Sequence, residues 1–429
     1  MKQLQLLFEK LWGSAGLRQS AILVVGSLFS MAISAVAIIL ISRILGPTAF
    51  GLFGIGLAVS LMLNRIHDFG LNFAIQKYVS QSQDKEQIKR ILTFTTLLKI
   101  TGSAVLILLG ILFSRSIATA LHLADPNIIF AAFLFSSGAT LFEHLQAVLQ
   151  ALHRFSQVVV INVLQSLVKV IAVIFLTLQN VTASTVFLSV YLAAPLLPTL
   201  FSYFFLPKWL RLSKGLSFRK EKELLQSMAS HSAVAGFSAG IVENVDILFV
   251  QGYLNTYEAG LFGGTARIAL LFSLVAYAIG NVLNPRVARY QQKEDLSQYV
   301  KKACLLAAAS LVGFLCFLPF AKWMLIFTIG AEYLPGLNIL FILLAASFTT
   351  IATIPFMAMF FSLDAPWYFS VSGVLQVLVI VIGDVIFVPM YGVTGAAYVK
   401  LLSRLLLFGF TSVLALYLYH KKHVKTVIT

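Results

Sequence analysis

Six basic residues lie inside long apolar stretches of this 429-residue sequence, namely Arg65, Lys99, Lys169, Arg267, Lys400 and Arg404. A cation at the centre of a bilayer costs about 2.5 to 3.5 kcal/mol on insertion scales, so such residues normally face a bundle interior or a water-filled cavity. Ammonium and guanidinium groups bind a diphosphate by hydrogen bonding and Coulomb attraction in a low dielectric. The set therefore indicates a cavity that binds an anionic group.

The sequence positions of these cations indicate which of them are the strongest candidates for binding an anionic group. Lys169 lies near the middle of its stretch with no acid close in sequence, which makes it the strongest single candidate, followed by Lys400 and Arg267. Lys400 and Arg404 are four residues apart, so a helix places both on one face. The alternative is a structural role, in which Arg65 and Asp68 neutralise each other three residues apart.

Acidic residues within the stretches form a second candidate set: Glu143, Glu243, Asp246 and Asp384. Carboxylates inside a membrane can carry protons or bind a coupling cation. The alternative is that they pair with the basic residues above. We treat all four as candidates for ion coupling.

The elements that position these residues are apolar stretches long enough to cross a bilayer. The chain is 59% hydrophobic and only 11% charged, against about 25% charged for a soluble domain. A helical span needs about 20 apolar residues. The pattern predicts an all-α polytopic membrane protein with about 12 spans, at 20-41, 50-73, 91-113, 128-150, 158-178, 185-206, 228-250, 259-283, 303-320, 337-361, 368-388 and 393-419.

The distribution of charge predicts the orientation of the spans. The 31 Lys and Arg residues exceed the 16 Asp and Glu by 15, which in a soluble protein would suggest nucleic acid as a partner. Here most basic residues fall in alternate loops, and the opposite loops have only Arg43, Arg115 and Lys322. The positive-inside rule then favours cytoplasmic termini and an even span count, with membrane lipids rather than nucleic acid as partners.

A short internal repeat divides the chain into halves. The segment GLFG occurs at Gly51 and again at Gly260, 209 residues later, near the start of the second and eighth spans. We expect two six-helix bundles, 1-206 and 227-420, joined by a basic cytoplasmic linker at 207-226 and followed by a tail at 421-429. Six spans per half predict a parallel repeat, with its axis along the membrane normal and a cavity between the lobes.

Signatures of catalysis are missing from the sequence. It has no GxxxxGK[ST] phosphate loop, no HExxH, no CxxC and no long polar segment that would hold a nucleotide or metal site. The bundle itself must therefore carry the function, and we predict neither an enzyme nor a metal site or cofactor.

Three segments resemble bacterial polysaccharide flippases of the multidrug, oligosaccharidyl-lipid and polysaccharide exporter superfamily. The first is ISRILGPTAFGLFGIGLAVSLMLNRIHDFGLNFAIQKYVS, from Ile41 to Ser80. The second is YLNTYEAGLFGGTARI, from Tyr253 to Ile268, with Asn284 and Pro285 after it. The third is FTIGAEYLPGLNILFILLAAS followed by YGVTGAAYVK near the carboxyl end. The resemblance covers nearly the whole chain in order and span count.

This resemblance implies two six-helix bundles arranged as a V and transport by alternating access. It implies a cargo of undecaprenyl-diphosphate-linked oligosaccharide, moved from the inner to the outer leaflet of the bacterial plasma membrane. The intramembrane cations would then meet the diphosphate and any acidic sugar. Coupling to Na⁺ or H⁺ follows only by analogy with the superfamily, and other polysaccharide assembly proteins are further potential partners.

Other functions stay open at this point. A multidrug or cation extruder of the same superfamily would need an apolar cavity with acidic groups. The six intramembrane cations argue against such a cavity. A polysaccharide polymerase or ligase would normally show a large outer loop bearing Arg or His, and no predicted outer loop has that size. An inactive scaffold in an assembly complex is the third possibility.

Overall fold

A computed structural model describes residues 15-202, 233-287, 290, 293-363, 365 and 367-425. Every element in these ranges is helical, and none of them is a strand. The predicted linker at 207-226 and the last four residues of the tail lie outside the described residues.

The helices follow the chain in the order the sequence predicts. They are α1 Ala15–Asp68, α2 Leu71–Gln81, α3 Lys85–Ala120, α4 Asn127–Ala151, α5 Phe155–Leu178, α6 Ser184–Ala193, α7 Leu196–Ser202, α8 Ala233–Asn244, α9 Asp246–Tyr253, α10 Thr256–Val287, α11 Lys293–Phe317, α12 Ala321–Thr328, α13 Leu337–Ser362, α14 Trp367–Tyr391 and α15 Val393–Lys425. Short 3₁₀ turns occupy Leu318–Phe320 and Ala331–Gly336.

The described helices account for each predicted span. Ten of them, or stretches of them, are long and apolar enough to cross a membrane, and the bent pair α8 and α9 makes eleven. Helix α1 contains the first predicted span and most of the second, separated by the non-helical backbone of Gly46, so all twelve have a helical counterpart. The prediction of a polytopic all-α membrane protein is confirmed.

The chain forms two compact units. The first consists of Met1–Ile41, Val59–Thr119 and Ala124–Gly236, and the second of Ser42–Ala58, Ala120–Leu123 and Phe237–Thr429. The predicted bundles, 1-206 and 227-420, place residues 42-58 in the first half, whereas these residues pack with the second unit. The bundle boundaries themselves stay a prediction.

The first unit is held by apolar contacts between helices α2 to α5. One buried cluster joins α2, α3 and α4 through Ile75, Ile91 and Val148. A second joins α4 and α5 through Phe142 and Ile161. Apolar contacts of this kind fix helix rotation, because each buried side chain must fill its own space.

The second unit has a buried apolar cluster next to the helix segments that bear its buried charged residues. Val242 on α8, Ile380 on α14 and Val399 on α15 form one buried group. A Cβ on Gly383 would lie 2.6 Å from the side chain of Val399, so α14 and α15 approach closely there. The pair α8 and α9 is bent by 43° at Val245. Helices α8, α9, α14 and α15 therefore meet around one bend.

Within the second unit, residues 42-58 pack against helix α10 at closely approaching glycines. Gly46 has a φ of 65°, a left-handed conformation that favours glycine. This residue interrupts the helical backbone of α1 just before Pro47. A Cβ on Gly51 would lie 2.1 Å from the carbonyl oxygen of Thr256, and one on Gly260 only 1.8 Å from that of Pro47. The two GLFG segments therefore cross backbone to backbone.

Large apolar side chains cover the outward faces of several helices. On α3, Leu108, Ile111, Leu112 and Phe113 are all at least half exposed. An apolar patch of this extent is unfavourable in water and suits the hydrocarbon of a bilayer.

Candidate functional site

A cavity in the second unit collects three of the six predicted cations. Its lining includes Arg267 of α10 and both Lys400 and Arg404 of α15, together with Glu243, Asn244 and Ser347. The i to i+4 spacing of the two α15 residues places them on one face, as the sequence predicts. The cluster of Val242, Ile380 and Val399 fixes the position of α15, and with it the backbone that bears Lys400 and Arg404.

Lys400 is bound on both sides of the bend between α8 and α9. Its ammonium lies 2.8 Å from Oδ2 of Asp246 and donates a second hydrogen bond to the carbonyl oxygen of Val242. Lys400 is 9% exposed and Asp246 is 1% exposed. A buried charge needs a partner of opposite sign, and each residue of this pair supplies one to the other.

Arg404 lies one turn further along α15 and holds two side chains. Its guanidinium forms an ion pair with Glu243 and donates to Oε1 of Gln376 at 2.8 Å. The Arg404 side chain is 11% exposed, whereas that of Glu243 is 43% exposed. Glu243 is thus the accessible member of the pair.

Arg267 lines the same cavity from α10, in a stretch of small residues. Gly263, Ala266 and Ala269 on the same helix also line it. The charge of Arg267 acts on Glu243, as do those of Arg404 and Lys400. All three cations are therefore within electrostatic reach of one carboxylate.

Asp384 is a buried acid behind this cavity. It is 0% exposed, and neither of its carboxylate oxygens has a hydrogen-bond partner among the described residues. The charges that act on it are those of Asp246 and Lys400. Asp246 Oδ1 also has no hydrogen-bond partner within the described part of the chain.

Lys99 lies in the first unit in a buried ion pair. Its ammonium is 2.8 Å from Oδ1 of Asp68 and the Lys99 side chain is fully buried. The second contact is with the carbonyl oxygen of His67, at 3.5 Å. Both ring nitrogens of His67 are buried without a hydrogen-bond partner among the described residues.

Arg65 is paired with a different acid from the one that its sequence neighbourhood suggests. Its guanidinium lies 4.0 Å from Oε2 of Glu143, while Asp68 pairs with Lys99 instead. Asn64 donates to the other oxygen of Glu143 at 2.8 Å. The Arg65 side chain is 51% exposed, so it is far more accessible than that of Lys99.

Lys169 differs from the four ion-paired cations because its partner is an aromatic ring. Its ammonium lies 4.1 Å from the centre of the Tyr191 ring, a cation–π contact between α5 and α6. Within the described ranges Lys169 forms no ion pair. The sequence observation that no acid accompanies Lys169 thus extends to its surroundings in space.

The structure brings together only part of the predicted set. Arg267, Lys400 and Arg404 share one cavity with Glu243, and Asp246 and Asp384 lie next to it. Arg65, Lys99, Lys169 and Glu143 lie in the first unit. Among the described residues at least four of the six cations have carboxylate partners, so most of them are charge-compensated. Their roles in substrate binding or ion coupling stay predictions.

Several partners were not predicted from sequence. Gln376, Tyr191 and Asn64 hold Arg404, Lys169 and Glu143 respectively. Each partner is uncharged, and each lies on a different helix from the charge it contacts. Neutral residues within apolar stretches have no sequence pattern that distinguishes them from ordinary packing residues.

Comparison with known proteins gives a family and a fold. The family described as polysaccharide biosynthesis protein matches residues 17–291. No curated protein matches the chain. Among solved structures, an inward-facing multidrug resistance MATE family transporter of the MOP superfamily is 12% identical, with a TM-score of 0.77 over 94% of this chain and 98% of that one.

Two further solved structures show the same fold. Lipid II flippase MurJ, in an inward closed conformation, is 15% identical, with a TM-score of 0.67 over 94% of this chain and 93% of MurJ. A MOP superfamily transporter from Pyrococcus furiosus is 14% identical, with a TM-score of 0.56 over 93% and 96% of the two chains. The family match covers more than half of the residues, and the helices form the fold of these transporters. The chain therefore belongs to the polysaccharide biosynthesis protein family and is a multi-pass membrane protein.

Proposed function

We propose that this protein is a flippase that moves an undecaprenyl-diphosphate-linked oligosaccharide from the inner to the outer leaflet of the bacterial plasma membrane. The cargo crosses by alternating access, with both termini of the chain in the cytoplasm. The protein is not an enzyme, since cargo leaves with its covalent structure unchanged. Other polysaccharide assembly proteins supply and receive the cargo.

The observation that carries the proposal is the convergence of Arg267, Lys400 and Arg404 on one cavity. A diphosphate has several acceptor oxygens, and a guanidinium binds such groups with two parallel hydrogen bonds. Membership of a polysaccharide biosynthesis family and a fold shared with a lipid II flippase support a phosphorylated lipid as cargo.

The Arg404 ion pair suggests how cargo binds. Glu243 is the exposed partner of Arg404, so a diphosphate entering the cavity takes its place on the guanidinium. Arg267 then supplies a second contact, while Lys400 stays on Asp246 and adds a fixed positive charge. The polyprenyl tail remains in or beside the bilayer, next to the apolar outer faces of the helices.

Transport of a labelled lipid-linked oligosaccharide in liposomes tests the proposal. Protein-containing liposomes should move the lipid between leaflets without any covalent change. Arg267→Ala should slow this about ten- to a hundredfold, since one charge-assisted hydrogen bond contributes roughly 1.5 to 3 kcal/mol. Arg115→Ala, at an exposed position outside the cavity, is the matched control. Unassisted leaflet exchange at the same rate, or growth of the oligosaccharide, would contradict the proposal.

A multidrug or cation extruder is the second candidate. The pairing of four cations with carboxylates favours it, as does the fold shared with a multidrug resistance transporter. Under that alternative, Glu243 would bind a cationic drug and the liposomes would export ethidium. We prefer the flippase because the cavity holds three cations against one lining carboxylate.

A further inference from the structure

We propose that Asp246, Lys400 and Asp384 form a proton-binding triad that sets the charge of the cavity in the second unit. The triad consists of one ammonium between two buried carboxyl groups. The ion that binds at this triad is a proton and not a metal cation. The consequence for cargo binding rests on the proposed function, whereas the proton site itself does not.

Geometry brings the three groups together. The Lys400 ammonium forms an ion pair with Asp246 Oδ2, at 2.8 Å, and donates a hydrogen bond to the backbone carbonyl of Val242. Helices α14 and α15 approach closely at Gly383 and Val399, the residues that precede Asp384 and Lys400, and the charges of Asp246 and Lys400 act on Asp384. Asp384 has no hydrogen-bond partner within the described residues, although it is fully buried.

Charge compensation requires a proton at this site. A single ammonium neutralises one carboxylate, and a second, fully buried carboxylate would have no compensating charge. Two carboxyl groups that share a site disfavour each other's ionisation, so one of them keeps its proton more readily than an isolated acid. Asp384 therefore binds a proton as a neutral acid, and burial of a neutral acid costs far less than burial of its anion.

The residues favour a proton over a metal cation. No group of three His, Cys, Asp or Glu side chains lies close enough to hold a metal ion anywhere in the described ranges. The ammonium of Lys400 already occupies the position next to Asp246 that a cation would take. The remaining requirement is a single positive charge on the fully buried Asp384, which a proton satisfies.

Protonation of Asp384 decides the net charge around the cavity. Arg267, Lys400 and Arg404 face three carboxyl groups, those of Glu243, Asp246 and Asp384. With all six ionised the charges cancel, and with one proton on Asp384 one positive charge is left over. An anion should therefore bind more tightly to the protonated form, and by linkage its binding should take up a proton.

Infrared spectroscopy of the purified full chain, without cargo, tests the proton site. We expect the wild type to show the carbonyl band of a buried, protonated carboxylic acid at neutral pH and Asp384→Asn to lack it. Lys400→Met, which removes the only cation of the triad, should retain the band to higher pH. Asp84→Asn, at an exposed position, is the control. An unchanged spectrum in folded Asp384→Asn would overturn the inference.

Binding of undecaprenyl diphosphate, measured at pH 6 and pH 8, tests the coupling. The wild type should bind about tenfold more tightly at the lower pH and take up protons on binding, in sodium-free buffer as well as in sodium. Asp384→Asn should bind equally at both pH values, as tightly as the protonated wild type. A requirement for sodium, or full pH dependence in Asp384→Asn, would overturn the coupling. A wild type that shows the infrared band but does not bind the diphosphate would contradict the proposed function and leave the proton site intact.

Discussion

Gly51 and Gly260, the equivalent glycines of the two GLFG segments, pack directly against each other. A Cβ on Gly51 would lie 3.0 Å from the backbone nitrogen of Gly260, and one on Gly260 would lie 3.1 Å from that of Gly51. The relation is reciprocal, as expected for corresponding positions of a repeat. The sequence repeat therefore marks a point of helix crossing.

Substitution at this crossing should destabilise the protein. Gly260→Ala places a methyl group against the carbonyl oxygen of Pro47, and Gly51→Ala places one against that of Thr256. We expect a loss of at least about 1 to 3 kcal/mol in each case, the usual cost of overpacking. Gly409→Ala, where no atom lies within 4 Å, is the matched control and should be neutral. Thermal unfolding in detergent measures the difference, and equal melting temperatures for all three variants would contradict the crossing.

Glu243→Gln should separate the two candidate functions. The substitution removes the exposed carboxylate from Arg404 and makes the cavity more positive. For a flippase, undecaprenyl diphosphate should bind several-fold more tightly, because an intramolecular competitor is gone. For a cation extruder, ethidium export should fall instead. Equilibrium binding of both ligands to wild type and variant gives the answer, and weaker diphosphate binding would count against the flippase.

Lys169→Ala should impair transport with little loss of stability, and Lys169→Glu should impair it more. No carboxylate in the described part of the chain pairs with Lys169, so its removal gives up a cation–π contact of about 0.5 to 2 kcal/mol. Tyr191→Leu removes the same contact but keeps the cation, and it serves as the comparison. Transport in liposomes and thermal unfolding are measured together. Normal transport by folded Lys169→Glu would remove Lys169 from the substrate-binding set.

Lys99→Met should destabilise the first unit strongly, because it leaves Asp68 inside the protein without a counter-charge. Breaking such a pair from one side typically costs about 3 to 5 kcal/mol. The double variant Lys99→Met with Asp68→Asn should recover most of this loss. Chemical denaturation or thermal unfolding distinguishes the variants, and a double variant as unstable as the single one would show that the pair is not the cause.

The sequence was sufficient to predict the helices, since a span of about 20 apolar residues is a strong local signal. The boundaries were less accurate where a helix breaks. The second predicted span, 50-73, runs through the end of α1 at Asp68, where Phe69 and Gly70 adopt positive φ. A hydropathy pattern does not register a change of backbone direction within an apolar stretch.

The pairing of charges was the part that sequence could not supply. Arg65 and Asp68 are close in sequence, yet each has its partner on another helix, Glu143 on α4 and Lys99 on α3. Spacing along one helix shows which residues share a face, whereas partners across helices depend on helix rotation and tilt. The same limit hid the approach of Lys400 to Asp246, which are 154 residues apart.

The two bonds of the Lys400 ammonium have a mechanical consequence. Val242 lies before the bend at Val245 and Asp246 lies after it, so one side chain fastens both arms of the broken span together. If that span straightens, the ammonium must either lose one of these two bonds or move together with the helix. The position of one positive charge beside the cavity and the bend of the helix pair that lines it are thus coupled through a single side chain.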